Sequence, residues 1–502
     1  MLDAFLHAIP AALHWTSVLG MVVGTIAGIL IGALPGLNPV MAIALLLPLT
    51  YGMDPLTALA LVAGIYNGSM YGGAIPAILL RIPGTPAAIA TTFDGHPMAR
   101  RGDAGHALSV ACWSSAIGGM ASAIALLTLA PLLSLVTLAF GPAEYFWVAV
   151  FGLASIAVLV GGDPLKGLIS AALGLLIGMV GVDQVSGQAR YTFDSLYLLS
   201  GFELIVVLVG LYALPPVMEM AEARGGDLLR GASLKFKSAI SFLSALRSHW
   251  KTWTRSSLIG IAVGILPGAG GNIAALLSYN EAKRSSKDPE SYGKGNPDGV
   301  AAAECGNNAD NASAMIPALT LGIPGNLIAA LILGALMIHG LQPGPRLFHD
   351  APDVVYGFMI QLFVTSALLL LLGGLLATRL FAQVLRLPSQ VLVPLVLVLM
   401  AIGVYTVNGR VSDLYVMLGF GLLGYILEKL DFPLAPIILG LLLGPMAEQN
   451  FRLAMMISRD DWTVFLTRPI SLGIAILTAL VLLMPLLRRI NPLRRKKQAS
   501  AD

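Results

Sequence analysis

The residues best suited to chemistry lie in one polar run, Glu304-Cys305-Gly306-Asn307-Asn308-Ala309-Asp310-Asn311-Ala312-Ser313, within a largely apolar chain. An asparagine side chain carries two N–H donors and one acceptor oxygen, so Asn307 and Asn308 suit an anionic ligand and a bound cation alike. Glu304 and Asp310 are the acidic groups of the run; at membrane depth a carboxylate serves as a cation ligand or proton relay. A loop near the interface would instead leave them merely solvated. A second run, Tyr66-Asn67-Gly68-Ser69-Met70-Tyr71-Gly72-Gly73, sets Asn67 and Ser69 beside Gly68, whose missing side chain lets backbone approach a ligand. The plainer reading of both runs is that Asn and Ser tie helices together by hydrogen bonds.

Four helix-breaking clusters flank these runs: Leu34-Pro35-Gly36, Pro83-Gly84-Thr85, Leu266-Pro267-Gly268 and Pro324-Gly325-Asn326, the third continuing into Ala269-Gly270-Gly271-Asn272. Proline removes a backbone donor and clashes with the preceding turn, and glycine permits a sharp reversal. Broken backbone inside a bilayer is tolerated only where protein or a water-filled cavity satisfies the freed groups. A half-helix N-terminus at such a break offers N–H groups and a positive dipole end, a seat for a carboxylate. A lone Pro-Gly pair would read as a kink; four at repeat-related places point to a central site. Arg81, just before Pro83, could counter a carboxylate or equally snorkel to the interface.

The elements that must position these residues are membrane helices. Of 502 residues 57% are hydrophobic and only 11% charged, and the mean hydropathy is +0.82. A soluble fold carries roughly 25% charged residues. Spans of about 20 residues allow on the order of ten to twelve transmembrane helices in an all-α polytopic protein. Long unbroken apolar runs such as 354–378 exclude a β-barrel, which needs alternation. The net charge of +3, with basic residues at membrane flanks, argues against a nucleic-acid partner. Cys112 and Cys305 are too few for a disulfide framework or a thiolate metal site and read as buried inert thiols.

The chain is internally duplicated. Gly28-Ile29-Leu30-Ile31-Gly32-Ala33-Leu34-Pro35-Gly36 matches Gly260 to Gly268, and Ile75 to Gly84 matches Ile316 to Gly325, which pairs Asn67 with Asn308. The second copy is longer by a polar insertion at about 281–298, whose mixed charges do not place it. The first eighty residues hold no Lys or Arg, while 221–255 and the tail from Arg488 are basic. Positive charge marks the cytoplasmic side, so the N-terminus is expected outside and the C-terminus inside. Halves entering from opposite sides form an inverted-topology repeat. The expected organisation is a first repeat over 1–220 and a basic linker over 221–255. A second repeat over 256–490 and a tail over 491–502 follow. The first helix, about 15–34, is expected to be a retained span, with others near 143–161, 164–181 and 201–218. An interfacial helix over 234–250 would present Phe236, Ile240, Leu243 and Leu246, and the aromatic loop 182–200 would lie at the outer interface.

At Gly32 to Gly36, Tyr66 to Gly73, Ile82-Pro83-Gly84-Thr85 with Asp94-Gly95, Pro267 to Gly271, Glu304 to Asn308, Leu321 to Gly325 and His339 to Pro345, the chain resembles the large membrane subunit of tripartite tricarboxylate transporters. The resemblance covers nearly the whole chain. It departs at Asp310, where a small or neutral residue is expected, and at His96, where an aromatic is commoner. It implies an ion-transporter-like fold with re-entrant hairpins and elevator-type movement. It also implies a small membrane subunit and a periplasmic binding protein as partners, and a sodium or proton gradient as drive in a bacterial inner membrane. No ATP-cradling loop is present, and no cofactor beyond the coupling ion is expected. The reading is a secondary symporter subunit importing a di- or tricarboxylate. Its substrate groups would be Pro35, Gly36, Asn67, Gly68, Ser69, Pro83, Gly84, Thr85, Gly268, Gly270, Gly271, Asn272, Asn307, Asn308, Pro324, Gly325 and Asn326, with Glu304 and Asp310 for the cation or proton. The alternatives are a stand-alone carboxylate symporter, a passive channel, and an intramembrane enzyme, which lacks an H-E-x-x-H motif or an aspartate dyad. The oligomeric state, a homo-oligomer included, is left open.

Overall fold

Helices begin in this chain where a short polar residue precedes a proline. Asn38, Asp54, Thr85, Asp163 and Asn296 each accept a hydrogen bond from a backbone N–H two or three residues on, with proline in the first helical turn. The cap satisfies one of the free N–H groups, and proline has none to satisfy. A computed structural model describes residues 2–34, 37–137, 139–159, 163–183, 186–222, 242–344, 346–376 and 389–490.

The described residues are almost wholly helical, with one two-residue antiparallel ladder pairing Gly181 with Arg190. Five helices among them are long and apolar enough to cross a membrane: Trp15–Ala33, Ala104–Thr137, Leu204–Glu222, Pro352–Gly373 and Val411–Lys429. Shorter apolar helices, including Pro142–Val158 and Pro164–Gly178, accompany them, at positions where spans were expected. Of the expected interfacial helix over 234–250, residues 242–250 are helical and continue in one helix, Phe242–Ile265, while Phe236 and Ile240 lie outside the described residues.

Two compact units divide the chain, one formed by 1–138 and 203–426, the other by 139–202 and 427–502. The first unit starts with α1 (Leu2–Ala12), α2 (Trp15–Ala33), α3 (Pro39–Leu46), α4 (Pro55–Gly72), α5 (Ala74–Leu80), α6 (Ile89–Arg100) and α7 (Ala104–Thr137). Small residues decide how α2 meets α4. A Cβ on Gly28 would stand 2.5 Å from Ile65 O, and one on Gly68 would stand 2.4 Å from Thr25 O. Glycines every fourth residue on both helices thus bring backbone against backbone, which larger side chains would forbid.

The same unit continues with α10 (Leu204–Leu208), which passes through a π-turn into α11 (Leu214–Glu222). Pro215 and Pro216 supply no N–H, so the turn before them widens. The later elements are α12 (Phe242–Ile265), α13 (Gly270–Ser285), α14 (Pro297–Ser313), α15 (Met315–Leu321), α16 (Leu327–Ile338), α17 (Leu347–Asp350), α18 (Pro352–Leu376), α19 (Ser389–Asn408) and α20 (Val411–Lys429). α14 is buried along its length from Gly299 to Ser313 and packs against α7, α12 and α13. Cys112 and Cys305 are buried and free, as expected.

The second unit holds α8 (Pro142–Leu159), α9 (Pro164–Gly178), α21 (Ala435–Ile457), α22 (Val464–Thr467) and α23 (Pro469–Ile490). Phe451 stacks on Phe465, and Phe146 packs against the pair at a tilted, edge-on angle. The buried Glu144 carboxylate is held by Arg468 at 3.0 Å and Ser471 at 2.8 Å.

Candidate functional site

α14 carries the polar run through the middle of the first unit, and its helical geometry sends each side chain to a different neighbour. Glu304 is fully buried, and its two oxygens accept from Thr91 on α6 and Ser115 on α7. Asn308 donates to the Glu304 carbonyl at 2.9 Å. Asn311 donates to Asn67 Oδ1 at 3.0 Å, and Asn67 Nδ2 reaches Leu362 O, Thr365 Oγ1 and Ser366 Oγ on α18. Asn67 is therefore a tie between α4, α14 and α18, the plainer of its two readings. Ser69 donates to Tyr66 O within its own helix, and Gly68 packs on α2.

The breaks carry the remaining candidates. Arg81 and Gly322 both adopt left-handed backbone, at φ 62° and 75°, at the ends of α5 and α15. After them Gly84 N–H donates to Gly73 O at 3.2 Å, and Gly325 N–H donates to Ala314 O at 3.2 Å. These two N–H groups were expected to be free for a carboxylate; each closes the break that contains it instead. Thr85 Oγ1 then caps Ala88 N–H, and Asn326 Oδ1 caps Ala329 N–H at 2.9 Å. Pro83 is exposed and Pro324 buried. Pro35 and Gly36 lie outside the described residues.

The second copy brings its two breaks together. Gly268 N–H, at φ 84°, donates to Gly325 O at 2.8 Å. Asn326 Nδ2 donates to Asp310 Oδ2 at 2.7 Å and to Tyr66 Oη at 2.9 Å. Gly271 lies against Asn307, so that a Cβ there would fall 2.6 Å from Asn307 Oδ1. Gly270 faces open space at φ 67°, and Asn272 is exposed. Asn307, fully buried, has no hydrogen-bond partner on either amide atom, and Asp310 Oδ1 has none either. A buried polar atom left unpaired costs roughly 1–3 kcal/mol. The unpartnered polar atoms of the run thus lie on Asn307, Asp310 and Asn311, with Asn307 against Gly271 and Asp310 against Gly264, on either side of the break between α12 and α13.

Sequence reasoning missed Thr91 and Ser115, since nothing local distinguishes them from other small polar residues on apolar helices. It also gave Asp94 no role beyond its place in a motif. The buried Asp94 accepts three backbone N–H groups on Oδ1, from Gly293, Gly295 and Asn296 at 2.7–2.8 Å, and Tyr279 Oη on Oδ2 at 2.9 Å. Gly293 and Gly295 stand at φ 82° and 98°, which turns successive N–H groups inward as an anion nest. Beside it, burial and then the Asp298 charge push the Tyr292 hydroxyl up to about 12, so it stays neutral. The polar insertion is thereby pinned to α6, and His249 on α12 pairs with Asp298 at 2.7 Å.

Apolar helices with glycine-lined contacts and paired breaks around a buried polar run define an all-α polytopic membrane protein. Residues 18–439 match the family described as Tripartite tricarboxylate transporter TctA family, and the chain belongs to it. It is 36% identical over 473 residues, 93% of each chain, to an uncharacterized 52.8 kDa protein in the TAR-I ttuC' 3' region of Agrobacterium vitis. It is 38% identical over 232 residues to an uncharacterized protein in the TAR-II ttuC' 3' region of that organism, covering 46% of this chain and 96% of that one. No solved structure matches the chain.

Proposed function

We propose that this chain is the large membrane subunit of a binding-protein-dependent importer that moves a di- or tricarboxylate across a bacterial inner membrane on an ion gradient. The observation that carries the reading is the Gly268 N–H to Gly325 O bond beside Asn307. It joins two chain breaks at a buried amide with unused donors, the chemistry a carboxylate needs. The substrate seat narrows to Asn307 with the 268–272 loop and the Asn326 turn, with Gly84 and Thr85 framing the matching turn of the first copy. The duplicated sequence and the matched Gly84–Gly73 and Gly325–Ala314 bonds support two structural repeats, and the charge asymmetry of their entry points favours inverted ones. A small membrane subunit and a periplasmic binding protein complete the system by family membership.

The insertion at 281–298 can be given a side. His249, in the first third of α12, pairs with Asp298 of the insertion, and that part of α12 lies within the basic 221–255 segment. Positive charge assigns that end to the cytoplasm, and the insertion goes with it.

Uptake of labelled carboxylates into liposomes containing this chain, its small subunit and a loaded binding protein tests the reading. Accumulation should follow an imposed sodium or proton gradient. Equilibration without accumulation would make the protein a channel and overturn it.

A further inference from the structure

We propose that a cavity beside α6, on the side given above to the polar insertion, binds the phosphate headgroup of an anionic phospholipid. The cavity measures about 490 Å³ and is lined by Arg81, His96, Arg100 and Arg101, together with Phe93 and Gly293. No carboxylate lines it, and among the described residues none of the three guanidinium groups has an ion-pair partner. Asp94 is the acid of the same helix, but Gly293, Gly295 and Asn296 N–H and Tyr279 Oη occupy its two oxygens. Three like charges around one cavity repel one another until an anion enters. Guanidinium forks match phosphate oxygens in pairs. A helix C-terminus attracts Arg100 and Arg101 in any case, but it does not bring Arg81 from α5 to the same place.

Local structure sets these groups around the cavity. Arg81 ends α5 in left-handed backbone at φ 62°, where its repeat counterpart is Gly322 at φ 75°. That conformation suits glycine, so the turn gains nothing from an arginine while the cavity gains a charge. His96 Nδ1 donates to Ile78 O at 3.2 Å, since a carbonyl only accepts, and Nε2 is left for a ligand. The Arg101 guanidinium lies against Gly295, with Nη1 3.2 Å from where a Cβ would sit. The nest around Asp94 that shapes this turn therefore also seats Arg101. The register that pairs Arg81 with Gly322 sets Met337, Leu341 and Gln342 opposite His96, Arg100 and Arg101. The basic groups thus belong to the first copy alone, and the cavity is no part of the framework the two copies share.

The surface leading to the cavity favours a lipid over a soluble anion. Ile89, Phe93, His96 and Arg100 follow one another at spacings of four, three and four residues, so one face of α6 runs from apolar to basic. Ile89 and Phe93 are exposed on it, and Ile82 is exposed next to Arg81. The face spans about 16 Å from Ile89 to Arg100, close to the roughly 15 Å hydrocarbon depth of one leaflet. An acyl chain along Ile89 and Phe93 brings its phosphate to the basic end, whereas a soluble phosphate needs no apolar approach. The cytoplasmic leaflet is the one rich in anionic lipid, and Gly293 of the insertion places the cavity on that side.

Binding of labelled phosphatidylglycerol to the purified full-length chain in detergent, competed with unlabelled lipids, tests this without reference to transport. Unlabelled phosphatidylglycerol should displace the label and phosphatidylcholine should not. Arg81→Gly and Arg100→Gln should each weaken binding by about five-fold or more. Arg81→Gly installs the residue that φ 62° favours, so its Tm in phosphatidylcholine should not fall, which separates loss of lipid from loss of fold. If Arg81→Gly does not fold, the exposed Arg100→Gln decides alone. Joint Lys496→Gln and Lys497→Gln in the basic tail should leave the affinity unchanged. Equal displacement by phosphatidylcholine, or affinity unmoved in both Arg81→Gly and Arg100→Gln, overturns the site. A tail variant that weakens binding as much as the cavity variants would reduce the attraction to diffuse charge and overturn it too. Glycerol 3-phosphate or citrate displacing the label as well as the lipid does would give the cavity to a soluble anion and remove the lipid assignment.

Discussion

Asn326 Nδ2 stands 2.7 Å from Asp310 Oδ2 while Asn326 Oδ1 accepts from Ala329 N–H, so one side chain caps α16 and holds a buried carboxylate. Its Tyr66 contact extends the link to α4. The turn after α15 is thereby fixed to α14 by the residue that starts the next helix.

Replacing that residue should cost on both counts. Asn326→Ala removes a helix cap worth about 1 kcal/mol and a hydrogen bond to a charged group worth about 1.5–3 kcal/mol. The expected result is a lower Tm and impaired uptake. Asn326→Ser, which restores only the cap, should recover part of the stability. Equal Tm for Asn326→Ala and the parent would show that Asp310 does not depend on this bond.

Asp94→Ala should free the polar insertion, since three N–H groups and Tyr279 Oη lose their acceptor together. Hydrogen exchange of the 293–296 amides should accelerate strongly, while amides of α4 stay protected. Asp94→Asn keeps one acceptor oxygen and should show an intermediate rate. Unchanged exchange in Asp94→Ala would mean that the turn is held by other contacts.

The side assigned to the insertion is open to labelling. Glu290 is 90% exposed on its side chain, so Glu290→Cys should react readily with a thiol reagent in permeabilised cells. In intact spheroplasts an impermeant reagent should not reach it, if positive charge has set the orientation. Labelling from outside would reverse the proposed topology.

Glycine substitutions should report on packing. A Cβ on Gly84 would fall 2.4 Å from Gly32 O, and one on Gly28 would fall 2.5 Å from Ile65 O. Gly28→Ala and Gly84→Ala should therefore lower Tm and expression together, by pushing backbone segments apart. Gly52→Ala, where a Cβ meets open space, is the matched control and should leave Tm unchanged.

In unit two, Arg190 bridges Glu448 at 2.8 Å and Asp183 at 3.9 Å, and the Glu448 hydrogen bond holds its guanidinium above the usual arginine range. Arg190→Gln removes one of the cations beside the buried Asp183 and leaves Arg452 at 2.8 Å from it. A loss of about 1–3 kcal/mol is expected, read from denaturant or thermal unfolding. No loss would mean that Asp183 and Glu448 do not depend on Arg190.

The membrane class was legible in the sequence because hydropathy is additive along a chain and needs no partner to be read. The duplication was legible for a similar reason, since identity between Gly28–Gly36 and Gly260–Gly268 is a local property. The sequence also determined where helices stop, through Pro-Gly pairs that cannot continue one. Tertiary structure alone decided which polar residue is spent and which is left. Asn67 and Asn307 have the same chemistry, yet α18 supplies three acceptors to the first, and α13 presents a glycine to the second. Hydrogen-bond satisfaction depends on atoms from helices hundreds of residues away, and no spacing along one strand of sequence encodes it.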